Sequence, residues 1–285
     1  MVAVKGRLNG LPPTSMLNSH IDWDRLRREF ASAQPFPHIV IDGLLDPAFA
    51  RQVSDAYPSL EQARALGREF AGLNERGKIQ ITNATVFPEP VQRLNALLAS
   101  PAFLERMSFV TGKPDLLADQ ALIGGGMHAT GPRGRLDVHV DFNRLESSGW
   151  FRCLNVLVFL NQDWRAEWGG QLELWDEPVK VCHRSVEPLL NRCVLFETSE
   201  KSYHGVAPVH CPAGVFRKSF AAYYYTLAAP PGWDGKDHTT IFRARPTEQL
   251  RGKLLMPLEQ LSRDVSDTLR RAKRAAKKIT RRDRS

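Results

Sequence analysis

The first part of the chain carries apolar residues at every third or fourth position, a pattern typical of helices that pack on one side. Asp22, Asp46 and Ser100 stand where N-caps would begin three of these stretches. Helices are predicted over residues 22–34, 46–57, 90–98 and 101–110. A short strand is predicted over residues 36–43, and residues 61–83 show no clear period. We expect the helices to form a scaffold packed on a sheet.

Short apolar runs replace the helical pattern after residue 114. Residues 151–161 form a nearly continuous apolar run, as expected for a core strand that is covered on both faces. Further strands are predicted over residues 121–128, 136–142, 168–175, 186–188, 192–197, 203–206 and 216–226. Short strands at this spacing favour a sandwich or a barrel over a βαβ fold.

Polar and glycine positions interrupt two of these strands. Asn155 lies in the middle of the run 151–161, and a buried amide needs hydrogen-bond partners. It either ties two strands together or contacts a polar ligand, and the sequence leaves both open. Gly169 and Gly170 open another strand, where they would let a ligand or a backbone segment come close.

His139 and Asp141 form the first candidate site. They are one residue apart on a predicted strand, so both side chains point to the same face. A later histidine, His204, would complete a set of two imidazoles and one carboxylate. On one face of an octahedral metal this set leaves other positions open, which is typical of non-haem Fe(II) oxygenases. The His-x-Asp triplet is weak evidence for a metal site by itself, and the surrounding sequence gives stronger evidence.

Arg217 is the second candidate, on the last predicted strand. Alternation places Arg217, Ser219, Ala221, Tyr223 and Tyr225 on one face. A guanidinium near a metal could hold the distant carboxylate of a dicarboxylate ligand through two hydrogen bonds. The small side chains beside Arg217 leave room for such a ligand.

Composition is ordinary for a soluble globular protein, and 285 residues suffice for one large domain with extensions. No apolar run approaches the roughly 18 residues of a membrane span. The N-terminus lacks the apolar region of a signal peptide. The four cysteines form no CxxC pair, which favours free thiols in a reducing compartment. We therefore expect a cytoplasmic protein.

The net charge of +8 is concentrated at the C-terminus, since residues 270–285 hold nine Lys and Arg against one Asp. Residues 257–285 are predicted to form a basic amphipathic helix. It is either a solvated helix whose first turns pack on the body, or a helix that contacts an anionic membrane surface, nucleic acid or an acidic partner. The sequence does not choose among these, and it gives no strong signal of nucleic-acid binding.

Several motifs between residues 139 and 225 resemble, in order and spacing, the prolyl 4-hydroxylase family of Fe(II)/2-oxoglutarate dioxygenases. The matching segments are His-Val-Asp-Phe-Asn (139–143), Arg-Cys-Leu-Asn-Val-Leu-Val-Phe-Leu-Asn-Gln-Asp-Trp (152–164), Gly-Gly-Gln-Leu-Glu-Leu (169–174), Asn-Arg-Cys-Val-Leu-Phe (191–196), His-Gly-Val (204–206) and Arg-Lys-Ser-Phe (217–220). The resemblance extends over roughly residues 35–227, outside the basic tail.

This resemblance implies a mainly β fold with α-helices: a double-stranded β-helix (jelly roll) core flanked by N-terminal helices, plus the basic C-terminal helix. The expected units are a loose N-terminus (1–20), a helical support region with a lead-in strand (21–118), the catalytic core (119–230), a connecting segment (231–256) and the C-terminal helix (257–285).

The resemblance also implies the roles of individual residues. His139, Asp141 and His204 would hold Fe(II), and Arg217 would bind the C5 carboxylate of 2-oxoglutarate. Phe159 stands where the family commonly has a tyrosine whose hydroxyl contacts that carboxylate. We therefore expect Asn155 or Tyr223 to supply the missing contact. O2 would be the co-reactant, with ascorbate as a reductant.

Three functions are compatible with these features. The first is hydroxylation of an unactivated carbon in a prolyl or other peptidyl residue. The second is hydroxylation of a small molecule or free amino acid in a biosynthetic pathway. The third is a non-catalytic metal-binding interaction protein on the same fold. A carboxylate at Asp141 favours hydroxylation over halogenation, because related halogenases carry a small residue at that position.

Overall fold

The computed structural model describes residues 16–248 of the chain. The helices within this range are α1 (Trp23–Ser32), α2 (Pro47–Asp55), α3 (Leu60–Leu66), α4 (Glu89–Leu98) and α5 (Pro101–Thr111). The strands are β1 (His38–Asp42), β2 (Arg68–Ala71), β3 (Glu75–Ile81), β4 (Leu117–Ala118), β5 (Gly126–Val140), β6 (Phe151–Phe159), β7 (Leu172–Trp175), β8 (Cys182–Val186), β9 (Arg192–Glu197), β10 (His204–Val206), β11 (Arg217–Thr226) and β12 (Ile241–Arg243).

Side-chain caps begin three of the predicted helices, as the sequence indicated. Asp22 accepts a hydrogen bond from the backbone N–H of Arg25, and Asp46 caps α2 in the same way. Ser100 caps α5. Such a cap typically contributes about 1 kcal/mol. The helix α3 was not predicted, although Ser59 and Gln62 form a capping box at its start.

The strands form one antiparallel sheet that curls into a nearly closed barrel, in the order β1-β9-β6-β11-β5-β10-β7-β8. The 15-residue strand β5 joins the two halves of the barrel. Its first half pairs with β3 and β11, and its second half pairs with β10 and β12. The predicted mainly β jelly roll with N-terminal helices is therefore confirmed.

Strand β6 is covered on both faces, as its apolar run predicted. Leu154, Val156 and Val158 belong to the large core that the helices share with the outer face of the sheet. Phe159 points into the barrel, where it packs with Phe196 and other side chains of β7 and β9. Burying one such side chain contributes about 1.5–3 kcal/mol. The helices thus fix one wall of the barrel, and its interior is left for a site.

Several segments differ from the sequence prediction: β7 begins only at Leu172, β8 covers Cys182–Val186 rather than residues 186–188, and β12 was not predicted. Residues 121–125 form turns rather than a strand, because Asp119 accepts the backbone N–H groups of Ala121 and Ile123 and so stops strand pairing. Strand β5 begins at Gly126, whose φ of +85° favours glycine. Residues 61–83, which showed no clear period, form α3 and the hairpin β2–β3.

The predicted C-terminal helix (257–285) lies outside the described residues, and the proposed domain bounds stay predictions. Within residues 16–248, no helix is both long and apolar enough to cross a membrane.

Candidate metal and cosubstrate site

The barrel brings His139, Asp141 and His204 together, as the spacing predicted. His139 on β5 lies directly opposite His204 on β10 in the antiparallel register, and their ring centroids are 4.3 Å apart. Asp141 follows the end of β5. One ligand atom from each side chain lies within 4.8 Å of the others. Both imidazoles are buried.

Backbone carbonyls fix how the two imidazoles are oriented. Nδ1 of His139 lies 2.9 Å from the carbonyl oxygen of Asp137, and Nδ1 of His204 lies 2.9 Å from that of Ser202. A carbonyl oxygen only accepts, so Nδ1 carries a proton in each ring, and in the neutral form of the ring Nε2 presents a lone pair. Burial, and then the charge of His139, lowers the pKa of His204 to about 3, which keeps its ring neutral.

The two lone pairs face the carboxylate of Asp141. Nε2 of His139 lies 3.6 Å from Oδ1, and Nε2 of His204 lies 3.5 Å from Oδ2. Three acceptor groups with no proton between them repel one another unless a cation lies among them. Two nitrogens and one carboxylate oxygen are a donor set that suits Fe(II). The side chains present therefore fit the metal that the sequence implied.

Arg152 and Asn155 hold the carboxylate of Asp141. Oδ2 accepts a hydrogen bond from the Asn155 amide at 2.8 Å and forms an ion pair with the Arg152 guanidinium at 3.0 Å. Arg152 also donates to the Asn155 amide oxygen, and its guanidinium lies 3.6 Å from the ring centroid of Tyr223. Burial alone would raise the pKa of Asp141, but the charge of Arg152 beside it brings it well below the ordinary value. Oδ1 is left as the oxygen that faces a metal.

Arg217 lies in the same cavity, and no acidic side chain within residues 16–248 forms an ion pair with it. It is 4% exposed, and its Nε donates to the Gly170 carbonyl at 2.7 Å. The guanidinium also donates to the Ser219 hydroxyl at 3.3 Å and lies 4.9 Å from the ring centroid of Phe159. Burial lowers its pKa to about 10, so the guanidinium stays charged at neutral pH. A buried cation without an anion is costly, which makes an anionic ligand favourable here.

Asn155 and Tyr223 line the cavity, but both have partners away from Arg217. The Asn155 amide is engaged by Asp141 and Arg152, and the hydroxyl of Tyr223 donates to the carbonyl of Gly124 at 2.9 Å. Their predicted contact with a distal carboxylate stays a prediction. Of the two roles left open for Asn155, the structure shows it joining two chain segments.

Sequence reasoning did not assign several residues of this site. Arg152 was overlooked, although a charged residue at the start of a buried apolar strand was a usable signal. His128, on strand β5, also lines the cavity. The cavity is lined by Lys78, His128, Thr130, Arg135, Leu136, His139, Asp141, Asn155, Leu157, Leu172, His204, Val206, Arg217, Ser219 and Tyr223.

A segment after the barrel supports the strand that carries the metal ligands. Strand β12 pairs with the end of β5, and the ring of Phe242 lies 5.4 Å from that of His139. Beyond β12, the buried Arg245 pairs with Glu173 at 2.8 Å and with Asp137 at 3.5 Å. These contacts tie β5, β7 and β12 together beside the site.

Comparison with known proteins agrees with this description. The model of the 2OG-Fe(II) oxygenase superfamily matches residues 125–225. No curated protein matches the chain.

Several solved structures are similar to the chain. One is a prolyl hydroxylase from Trichoplax adhaerens in complex with a hypoxia inducible factor peptide fragment (TM-score 0.49, 20% identity, covering 71% of this chain and 90% of that one). Another is a prolyl-4-hydroxylase from Pseudomonas putida (TM-score 0.46, 17% identity, covering 70% of this chain and 98% of that one). A third is HygX from Streptomyces hygroscopicus with nickel, 2-oxoglutarate and hygromycin B bound (TM-score 0.48, 14% identity, covering 75% of this chain and 97% of that one).

The barrel, the family match and the His-Asp-His cluster together support a 2-oxoglutarate- and Fe(II)-dependent dioxygenase. Residues 125–225, which match the model of the 2OG-Fe(II) oxygenase superfamily, include His139, Asp141, His204 and Arg217. The family resemblance predicted from the sequence is confirmed.

Proposed function

We propose that this enzyme hydroxylates an unactivated carbon of a prolyl or other peptidyl residue. The observation that supports hydroxylation is one cavity that holds both the His139, Asp141 and His204 cluster and the buried cation Arg217, which has no acidic partner in the described part of the chain. The peptidyl substrate rests on the resemblance of residues 139–225 to prolyl 4-hydroxylases. A small molecule or free amino acid is the alternative substrate.

Different side chains of the cavity would bind the metal and 2-oxoglutarate. Nε2 of both histidines and Oδ1 of Asp141 would hold Fe(II), and Arg217 would hold the distal carboxylate of 2-oxoglutarate. When bound, these groups supply oxidative decarboxylation with O2, which yields succinate and CO2 and adds one oxygen atom to the substrate. Leu136, Leu157 and Leu172 line the cavity and exclude water from it.

Asp141 favours hydroxylation among the reactions of this class. Its carboxylate would supply the third protein ligand to the metal, and Arg152 and Asn155 hold the carboxylate in place. We also propose ascorbate as a reductant that restores Fe(II). The four free cysteines support a reducing compartment, and we propose the cytoplasm.

Succinate formation tests the proposal. The purified full chain would be incubated with Fe(II), 2-oxoglutarate and O2, with either proline-containing peptides or a panel of free amino acids. We expect succinate release to rise with a peptide that gains one oxygen atom by mass spectrometry, and to be lost in His204→Ala. Stimulation by a free amino acid would support the alternative substrate. Protein that binds metal and 2-oxoglutarate but never forms succinate would contradict the proposed reaction.

A further inference from the structure

Lys78, Thr130 and Arg217 form a row across three adjacent strands. Lys78 on β3 is the register partner of Thr130 on β5, and Thr130 is in turn the partner of Arg217 on β11. All three line the metal cavity. Lys78 lies outside residues 125–225, so the family match does not include it.

A second row shows that this face points into the barrel. This row lies two residues away from the first on each of the three strands. In it, His128 on β5 is the register partner of Gln80 on β3 and of Ser219 on β11. The amide of Gln80 lies 3.4 Å from Nε2 of His128, and His128 and Ser219 line the cavity. Alternate residues of a strand share one face, so the side chain of Lys78 lies on the inner face as well.

Two polar groups in the first row point to an anionic ligand. Thr130 is 4% exposed, and no described residue hydrogen-bonds to its hydroxyl. Arg217 is equally buried and has no acidic partner among the described residues. Asp141 is the one acidic side chain among the residues that line the cavity. Buried polar groups and charges of this kind need partners.

Phe159 supplies no hydrogen bond to a ligand at Arg217. Its ring lies 4.9 Å from the guanidinium and has no hydroxyl. Nε of Arg217 is already used by Gly170. A carboxylate can accept about four hydrogen bonds, more than the remaining N–H groups of one guanidinium supply from one side.

We propose that Lys78 and Thr130, together with Arg217, bind the distal carboxylate of 2-oxoglutarate. This inference rests on the proposed function. The ammonium of Lys78 lies 2.5 Å from Oε1 of Glu75, and its side chain is 14% exposed. An ammonium has three N–H donors, so it can keep Glu75 and still donate to the ligand. The ammonium and the threonine hydroxyl then provide the contacts that Phe159 lacks.

Equilibrium binding of two 2-oxo acids tests the proposal. The full chain, loaded anaerobically with redox-inert Ni(II), would be titrated with 2-oxoglutarate and with 2-oxobutyrate, which lacks the distal carboxylate. We expect Lys78→Met to weaken 2-oxoglutarate binding about tenfold, as for loss of a charge-assisted hydrogen bond, and to leave 2-oxobutyrate unchanged. Thr130→Val should weaken 2-oxoglutarate about threefold.

Two controls separate the ligand contact from other effects. Arg76→Met removes a cation from the same strand at an exposed position that does not line the cavity. It should leave both affinities unchanged. The pair Glu75→Gln and Glu75→Gln/Lys78→Met tests whether an unpaired Glu75 causes the loss. We expect the double variant to bind 2-oxoglutarate about tenfold more weakly than Glu75→Gln.

The outcomes distinguish this inference from the proposed function. Wild-type protein that fails to bind 2-oxoglutarate would contradict the proposed function itself. Wild-type protein that binds it, with equal affinity in the double variant and in Glu75→Gln, would overturn the role of Lys78. An equal loss for both ligands in Lys78→Met would also overturn it. Thermal melting would identify a variant that fails to fold. If Lys78→Met does not fold, the same titrations would be made with Lys78→Gln and with Thr130→Val.

Discussion

The guanidinium of Arg152 forms an ion pair with Oδ2 of Asp141 at 3.0 Å, deep in the barrel, where the arginine side chain is 1% exposed. Asn155 donates a hydrogen bond to the same oxygen at 2.8 Å. Both groups thus hold one oxygen of the carboxylate and leave Oδ1 toward His139. Arg152 is a positioning residue for the metal site, because it acts through Asp141.

Arg152→Met should weaken metal binding about 10- to 100-fold, as for other residues that orient a ligand. The physical reason is that Asp141 loses the cation that neutralises it, and Asn155, which donates to Asp141, loses the guanidinium that holds its amide oxygen. Anaerobic Co(II) titration, followed by the visible absorption of the bound ion, measures the affinity. Arg144→Met is the matched control, since Arg144 also lies over an aromatic ring but is exposed. Equal affinity in the two variants would remove the positioning role.

Gly170→Ala should displace the side chain of Arg217 from its position in the cavity. Gly170 has a φ of +72°, and a Cβ there would lie 3.0 Å from Cδ of Arg217. We expect a loss of stability of about 1–2 kcal/mol and a clear loss of 2-oxoglutarate affinity. Gly214→Ala controls for the backbone alone, because Gly214 has a φ of +84° and no atom within 4 Å of its Cβ position. Urea unfolding and ligand titration separate the two effects. A Gly170→Ala protein that binds like Gly214→Ala would contradict the contact.

His128 should make the folded protein less stable in mild acid. Burial, and then the charges of Lys78 and Arg217, hold its pKa well below the ordinary 6.5. As the pH falls below about 6.5, the unfolded chain binds a proton that the folded chain does not, so stability falls. His128→Gln should reduce the loss between pH 6.5 and 5.5 by up to about 1.4 kcal/mol.

Urea midpoints at the two pH values measure this loss. His183→Gln changes an exposed histidine and is the control. An unchanged pH dependence in His128→Gln would show that His128 does not cause it.

The sequence predicted this site best where the chemistry depends on local spacing. The interval between His139 and Asp141 is set by strand alternation, and the caps at Asp22 and Asp46 depend on neighbouring residues, so both could be predicted. Lys78 could not be placed, because its position beside Thr130 depends on the pairing of two strands about fifty residues apart. The partners of Asn155 also depend on tertiary packing.

An anaerobic titration with Fe(II) and then 2-oxoglutarate tests the central claim most directly. The weak visible charge-transfer band would be followed in wild-type protein and in His139→Ala. We predict a band that requires both additions and is lost in the variant. A folded wild-type protein without the band, or a variant that keeps it, would contradict the assignment of this cluster as the metal site.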